Sequence, residues 1–392
     1  MKPTNPVFTG LATTVFETMS RLAIEHGAIN LGQGFPDVDG PEDVRKAAAD
    51  ALMAGPNQYP PMLGLPELRQ AVAEANRRFY GLETDWKTEV MVTSGATEAL
   101  ADTMLALLEP GDEVILIEPL YDCYLPLVKR FGGIPVRVRV TPPEWKLNLR
   151  ALRAAFTENT KAILINNPMN PSGKVFSEEE LAEVARLCRE YGVYAICDEV
   201  YEHLLFDGRR HRPLISFPGM RDLSVKIGSA GKTFSLTGWK VGYVTASPKL
   251  LDPIAKAHQF VTFTTPPGLQ KAVAYGFSKE DAYFEGLAAD MQAKRDRITT
   301  GLKSIGFDVL PCEGTYFVTC DVTSLGLNSD DFEICRRMVV EAGVAAVPVS
   351  AFYLADAPTS FIRFCFCKRD EVLDGAVERL GNWIAGIGAR GR

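Results

Sequence analysis

Ile227-Gly-Ser-Ala-Gly-Lys-Thr-Phe-Ser-Leu-Thr-Gly-Trp-Lys240 is the stretch on which the reading of this chain turns. Ser224-Val-Lys-Ile-Gly228 reads as a short strand, and small residues carry the chain from it to Lys232. Small residues let the backbone and a bound group approach closely. A second lysine, Lys240, follows a Thr-Gly-Trp turn. Two amines on one short segment suit a ligand that carries both an electrophile and a phosphate, with one lysine forming an imine and the other supplying charge. A polar loop with two solvated lysines is the plain alternative.

Two motif readings of the segment fail. A Walker-type phosphate loop needs a glycine five residues before Gly231, and position 226 is Lys. Ser229-Ala-Gly-Lys232 fits an S-x-x-K nucleophile motif, but its companion motifs are missing. Lys232 is followed by Thr-Phe rather than Thr-Gly, and Ser329 by Asp-Asp rather than Asp-Asn.

On either side of the lysine segment, short apolar runs alternate with amphipathic helical patterns. Val90–Thr93, Glu113–Ile117, Pro135–Arg139, Lys161–Asn166, Gly192–Cys197, Leu223–Ile227 and Val241–Ala246 read as strands. Ser177 with Glu180 forms a capping box that opens a helix through about Tyr191. Apolar strands without polar alternation, separated by helices, predict an α/β fold with a largely parallel sheet covered on both faces. After about residue 280 a long charged helix and shorter strands predict a smaller α+β unit. Residues 1–40 carry glycines and prolines between short apolar pieces and read as an arm laid over the rest. The expected organisation is therefore an arm over 1–40 that also forms part of the small domain, a large ligand-binding domain over 41–280 and a small C-terminal domain over 281–392.

The chain has 392 residues, 46% hydrophobic and 23% charged, which suits two globular units rather than disorder. A net charge of −7 gives no electrostatic case for nucleic acid. No segment offers the ~18 uncharged apolar residues of a membrane span, and Met1-Lys-Pro-Thr-Asn-Pro6 has neither a signal-peptide core nor a transit-peptide pattern. A cytoplasmic protein is expected. The eight cysteines are scattered, several within apolar runs, and read as buried reduced thiols. Cys365-x-Cys367 has no partner pair at zinc-site spacing, so no metal is expected.

Ligands of open parallel sheets sit at the carboxyl ends of strands, and three strand ends carry chemistry. Ser94-Gly-Ala-Thr-Glu98 opens a helix, where free N–H groups and the dipole suit a phosphate; a simple cap at Ser94 or Thr97 is the alternative. Asn166-Asn-Pro-Met-Asn-Pro-Ser-Gly173 presents Asn170 between two X-Pro steps, unless Asn170 only caps its own turn. Asp198-Glu-Val-Tyr201 places an acid directly after a buried strand, where desolvation needs a partner such as a protonated pyridine nitrogen. Tyr201 suits a ring hydroxyl, and capping of a following helix is the bland reading of Asp198. Arg363, in the apolar strand Phe361-Ile-Arg-Phe-Cys-Phe366, suits a carboxylate, with a structural ion pair as the alternative. An imine lysine, a phosphate cradle, a ring-nitrogen partner and a ring-hydroxyl partner are together the demands of pyridoxal 5′-phosphate.

At Asn-Pro-x-Asn-Pro-x-Gly, Asp-Glu-Val-Tyr and Ser-x-x-Lys-Thr-Phe…Gly-Trp-Lys the chain resembles the class I/II aminotransferases of the fold type I pyridoxal-phosphate group, over nearly its whole length. Leu31-Gly-Gln-Gly-Phe-Pro-Asp37, Glu118-Pro-Leu-Tyr-Asp-Cys-Tyr124 and Phe361–Phe366 are similar to the kynurenine aminotransferase, glutamine transaminase K and cysteine-conjugate β-lyase branch. The resemblance implies that Lys232 carries the imine and Asp198 holds the pyridinium. It assigns Asn170 and Tyr201 to the ring oxygen, and Tyr121 to the ring face. Gly95, Ala96, Ser229 and Lys240 would hold the phosphate, with Lys240 standing where many members of the wider family have arginine. Tyr59 would reach the phosphate of a neighbouring subunit, so a homodimer is implied. Arg363, with Asn170 and the backbone of Gly34, would clamp the substrate α-carboxylate.

The implied reaction is ping-pong transfer of an amino group from an L-amino acid, expected to be neutral or aromatic, to a 2-oxo acid. Tyr121, Tyr124, Phe352, Tyr353, Phe8 and Phe16 are candidate pocket walls or core. The alternatives are a β-eliminating C–S lyase on cysteine conjugates, a succinyl-diaminopimelate-type aminotransferase and a cofactor-binding regulatory domain. The last would need a basic DNA-binding appendage, for which the early strand motifs leave no room.

Overall fold

Apolar runs that the sequence reads as buried strands form an eight-stranded sheet. In chain order, β1 is Ile29–Asn30, β2 Val90–Thr93, β3 Glu113–Glu118, β4 Ile134–Thr141, β5 Lys146–Leu147, β6 Thr160–Asn166, β7 Tyr194–Asp198, β8 Ser224–Ser229 and β9 Gly242–Ala246. The sheet order is β2-β9-β8-β7-β6-β3-β4-β5. This computed structural model describes residues 2–327 and 329–390. Met1, Asn328, Gly391 and Arg392, which fall in the expected arm and C-terminal domain, lie outside the described residues.

The pairs β8/β7, β7/β6, β6/β3 and β3/β4 are parallel. β9 runs against both its neighbours, β8 and β2, and β5 runs against β4. The reversal of β9 follows from its connection: residues 230–241 hold one short helical turn and a 3-10 turn, too little for the crossover a parallel neighbour requires. Alternate residues of the central strands feed two different cores. Ile163, Ile165, Ala195 and Cys197 join Leu181, Val184 and Cys188 of the helix Glu178–Tyr191. Ala162, Leu164, Ile196 and Ile227 join Leu100 and Met104 of the helix Gly95–Leu107, and Leu250 and Ile254 of the helix Pro248–Val261. Helices therefore cover both faces, as the uninterrupted apolar strands require. Ser177 and Glu180 make the expected reciprocal capping box.

The C-terminal segment builds a second sheet from β10 (Asp308–Val309), β11 (Phe317–Asp321), β13 (Val347–Pro348) and β14 (Phe361–Cys365), in the order β10-β11-β14-β13 and antiparallel throughout. Between them β12 (Val344–Ala345) pairs in parallel with β1. Met19 and Ala23, from the helix Val15–Glu25, pack in one core with Ile298, Leu302, Leu373 and Leu380. Chain from the first thirty residues thus shares a core with the C-terminal segment, and it brings Leu31 and the glycines after it toward the edge of the large sheet. All eight cysteines are free. Among the described residues no helix is long and apolar enough to cross a membrane.

Candidate active site

β2, β3, β6, β7 and β8 share one direction, so their carboxyl ends open on one edge of the sheet. Because β9 is reversed, its start, preceded by Lys240, lies on that same edge. A cleft of about 440 Å³ occupies it, taking in Gly95, Asn170, Asp198, Lys232, Lys240 and Arg363. Gly34, Ala96, Tyr121, Tyr201 and Ser229 also line it, so the structure brings eleven of the twelve sequence-predicted site residues into one cavity. Tyr59 is the exception. It is 82% exposed, away from the cleft, with its ring 5.3 Å from that of Phe263.

At one end, β2 runs into the helix Gly95–Leu107, whose first N–H groups have no partner within the helix. Gly95 has φ +79°, and a Cβ there would stand 3.1 Å from both Cε and Nζ of Lys240. Only glycine combines that backbone conformation with so close an ammonium. Ser94 holds the N-cap position without making a side-chain cap. Instead the carboxylate of Glu98 accepts the Ser94 N–H, so the simple serine cap weighed from sequence is not what forms.

In the middle, Asp198 ends β7 almost fully buried. The Tyr124 hydroxyl donates to its Oδ2 at 2.5 Å, and the Val200 N–H approaches Oδ1 at 3.4 Å. Burial raises its pKa against these hydrogen bonds. The residues after it form turns, so helix capping does not account for it. Lys232 stands opposite. Its Nζ donates to the Tyr316 hydroxyl at 2.7 Å, which in turn donates to the Gly34 carbonyl at 2.7 Å. Burial lowers the Lys232 pKa toward the neutral amine. A Cβ on Gly34 would lie 2.6 Å from Cζ of Phe317, which explains a glycine at that turn.

At the far end Arg363, 1% exposed, spreads its guanidinium over the Phe317 ring at 3.9 Å. Nη1 donates to Asn170 Oδ1 at 2.8 Å and Nη2 to the Gly32 carbonyl at 2.6 Å, while Nε is buried without a hydrogen-bond partner. Both bonds go to neutral oxygens, so a structural ion pair does not explain this arginine. Asn170 likewise does not cap its own turn: its N–H donates to Asn166 Oδ1 and its side chain serves Arg363.

Residues 26–380 match the family described as aminotransferase class I and II. The chain belongs to the class I and II aminotransferases. One relative is a probable N-succinyldiaminopimelate aminotransferase of Mycobacterium tuberculosis, 45% identical over 380 residues, 94% of this chain and 96% of that one. A kynurenine–oxoglutarate transaminase 3 of Homo sapiens is 37% identical, covering 95% of this chain and 89% of its own. Among solved structures, an Escherichia coli protein described with a methionine aminotransferase function superposes with a TM-score of 0.94 at 38% identity, over 97% of this chain and 100% of that one. This aminotransferase is a fold type I, pyridoxal-phosphate-dependent enzyme, as its motifs imply. The kynurenine branch named from those motifs is one of several that it resembles.

Sequence reading of this aminotransferase missed Tyr316. It lies in a run read only as a strand, and nothing in the pattern says which side chain faces the lysine. It also passed over Gln33 and Phe35, which line the cleft, and left Tyr124 as a wall candidate although it holds Asp198. Of the other aromatics weighed, Phe16 lines the cleft and Phe352 backs it, with its ring 5.7 Å from Phe16. Tyr353 lies over Arg139, and Phe8 is half exposed.

Proposed function

We propose that this aminotransferase takes an amino donor with a neutral or aromatic side chain, such as methionine, glutamine, phenylalanine or kynurenine, and passes its nitrogen to a 2-oxo acid. The observation that carries this reading is the charge of the cleft wall. Its cations, among the described residues, are Lys232, Lys240 and Arg363. The first two are needed by the cofactor and the third by the α-carboxylate. What remains for the side chain is Thr14, Phe16, Gln33, Phe35, Tyr121 and the acid Asp122. Such a wall disfavours a second carboxylate.

The residues fit pyridoxal phosphate. Asp198 is a buried carboxylate hydrogen-bonded to no cation, and Gly95 leaves open the space that a Cβ would fill beside Lys240. When bound, the cofactor supplies an aldehyde that takes up the donor nitrogen and a ring that withdraws electrons from the α-carbon. Asp198 would keep the ring nitrogen protonated, Asn170 and Tyr201 would serve the ring oxygen and Tyr121 the ring face. Gly95, Ala96, Ser229 and Lys240 would hold the phosphate. Arg363 would grip the donor carboxylate beside Asn170 and Gly34 and so fix which α-carbon bond faces the lysine. Lys232, whose burial pushes it toward the neutral amine, would move the α-proton, with Tyr316 aiming its Nζ.

The working unit is a cytoplasmic homodimer in which Tyr59 completes the neighbouring site. The exposure of Tyr59, whose ring meets Phe263, and of Phe260 and Val261 just before Phe263 supports this. The domains are the arm 1–40, which is also part of the small domain, the cofactor domain 41–280 and the small domain 281–392. Succinyl-diaminopimelate is the second reading, favoured by the 45% identity to the mycobacterial relative.

A half-reaction panel tests the substrate. Bleaching of the imine absorbance is followed with methionine, glutamine, phenylalanine, kynurenine, aspartate and succinyl-diaminopimelate. Faster bleaching by the neutral donors is expected. Selective bleaching by succinyl-diaminopimelate would install the second reading, and pyruvate and ammonia formed from a cysteine conjugate without an oxo acid would reveal a C–S lyase.

A further inference from the structure

Behind the turn that faces the phosphate lies a buried cluster the mechanism does not use: Glu98, Asp102 and His258. His258, on the helix Pro248–Val261, is fully buried. Its Nδ1 is 2.8 Å from Glu98 Oε1 and 3.5 Å from Asp102 Oδ2, while Nε2 is 3.2 Å from the Met62 carbonyl oxygen. Both ring nitrogens thus face acceptors, and only the doubly protonated imidazolium offers two N–H donors. Burial alone would lower the His258 pKa, but the adjoining carboxylates of Asp102 and Glu98 raise it to about 9. Asp102 is completely buried and neither of its oxygens has a hydrogen-bond partner, and the His258 ring is the cation that pairs with it, at 3.5 Å. The other buried acid cluster, Glu199, Glu202 and His211, has Lys226 as its cation, with Nζ 2.5 Å from Glu202. At Glu98 and Asp102 the histidine fills that role.

The second oxygen of Glu98 accepts the N–H of Ser94, the residue directly before Gly95 and Ala96. A carboxylate in the first turn suits the helix dipole, yet it also sets a negative charge behind the place where a phosphate dianion would sit. We propose that His258 is a positioning residue for the cofactor phosphate: it neutralises Glu98, so that the carboxylate can hold the Ser94–Ala96 turn without repelling the phosphate. This rests on the reading of Gly95, Ala96, Ser229 and Lys240 as the phosphate cradle.

The test is the rate of cofactor release from the full-length holoenzyme, read as loss of imine absorbance after dilution. Lys240→Met checks the cradle itself: unchanged release would remove the reading on which the inference rests. With the cradle upheld, His258→Gln is expected to release cofactor about tenfold faster, because Glu98 then carries an uncompensated charge. The double variant Glu98→Gln/His258→Gln, with an amide in place of the carboxylate, is expected to return to within about threefold of wild type. A merely structural histidine would leave the double variant at least as impaired as the single one, and that result, or unchanged release from His258→Gln, overturns the proposal.

Should the variants fold poorly, the wild-type release rate across pH 8–10 decides. The groups facing His258 are Glu98, Asp102, the Met62 carbonyl and, through Glu98, Thr262. Release must accelerate as His258 loses its proton near pH 9. A flat profile there sinks the idea.

Discussion

The Gly95–Lys240 end of the cleft and its Arg363 end differ in how far apart in sequence their parts lie. Gly95, Asn170, Asp198, Ser229, Lys232 and Lys240 stand at or beside the edge of one sheet, each at or a few residues beyond an end of β2, β6, β7, β8 or β9. Their places follow from strand direction alone. The other end is assembled from Phe16, Gly32, Asn170, Phe317 and Arg363, which belong to separate elements of the arm, the large sheet and the second sheet. An end built on one sheet keeps its geometry when a single side chain changes. An end built from several pieces depends on each of them. The first should govern the cofactor's spectrum and the second substrate affinity.

The sharpest way to break that division is Lys232→Ala. It should abolish the imine absorbance and lower turnover by about 10⁴-fold, and wild-type-like transamination would end the assignment of Lys232. Next in size, Asp198→Asn keeps a partner for Tyr124 but loses the charge. It should reduce kcat by about 10²–10³-fold with a shifted imine titration, measured by spectral titration beside steady-state rates. Arg363→Lys replaces a fork by a point charge. We expect kcat/KM for amino donors to fall about 10²-fold, with the cofactor spectrum intact. A changed spectrum would show that the two ends are not separable. Tyr316→Phe keeps the ring and removes the partner of Lys232. An effect of about tenfold on kcat with KM unchanged is expected in single-turnover proton transfer.

The same division explains what was legible in the sequence. Strand ends were readable because apolar runs mark where strands stop, and the next few residues then have to face the cleft. Lys232, Asp198, Asn170 and the Gly95 turn were found that way. Arg363 was flagged by its apolar surroundings, but its contact with the Gly32 carbonyl was not. Nothing local says that residues over 300 positions apart will meet. Tyr316 was missed for the same reason, since its role depends on a lysine on the helical turn after β8. The reversal of β9 could have been inferred from the shortness of residues 230–241, yet apolar content alone does not carry strand direction. At Ser94 a residue type favoured for capping misled, because Glu98, a turn further on, takes the N–H instead.

The guanidinium of Arg363 ties together Gly32, near the start of the chain, Asn170, beside the central sheet, and β14, near the end. A carboxylate that binds this guanidinium adds to a knot that exists only when all three are in place. Binding then holds the two ends of the chain against the middle, and mass action makes it a brake on unfolding. Unreactive carboxylates should therefore raise the melting temperature and slow proteolysis of the N-terminal forty residues, well away from any chemistry they inhibit.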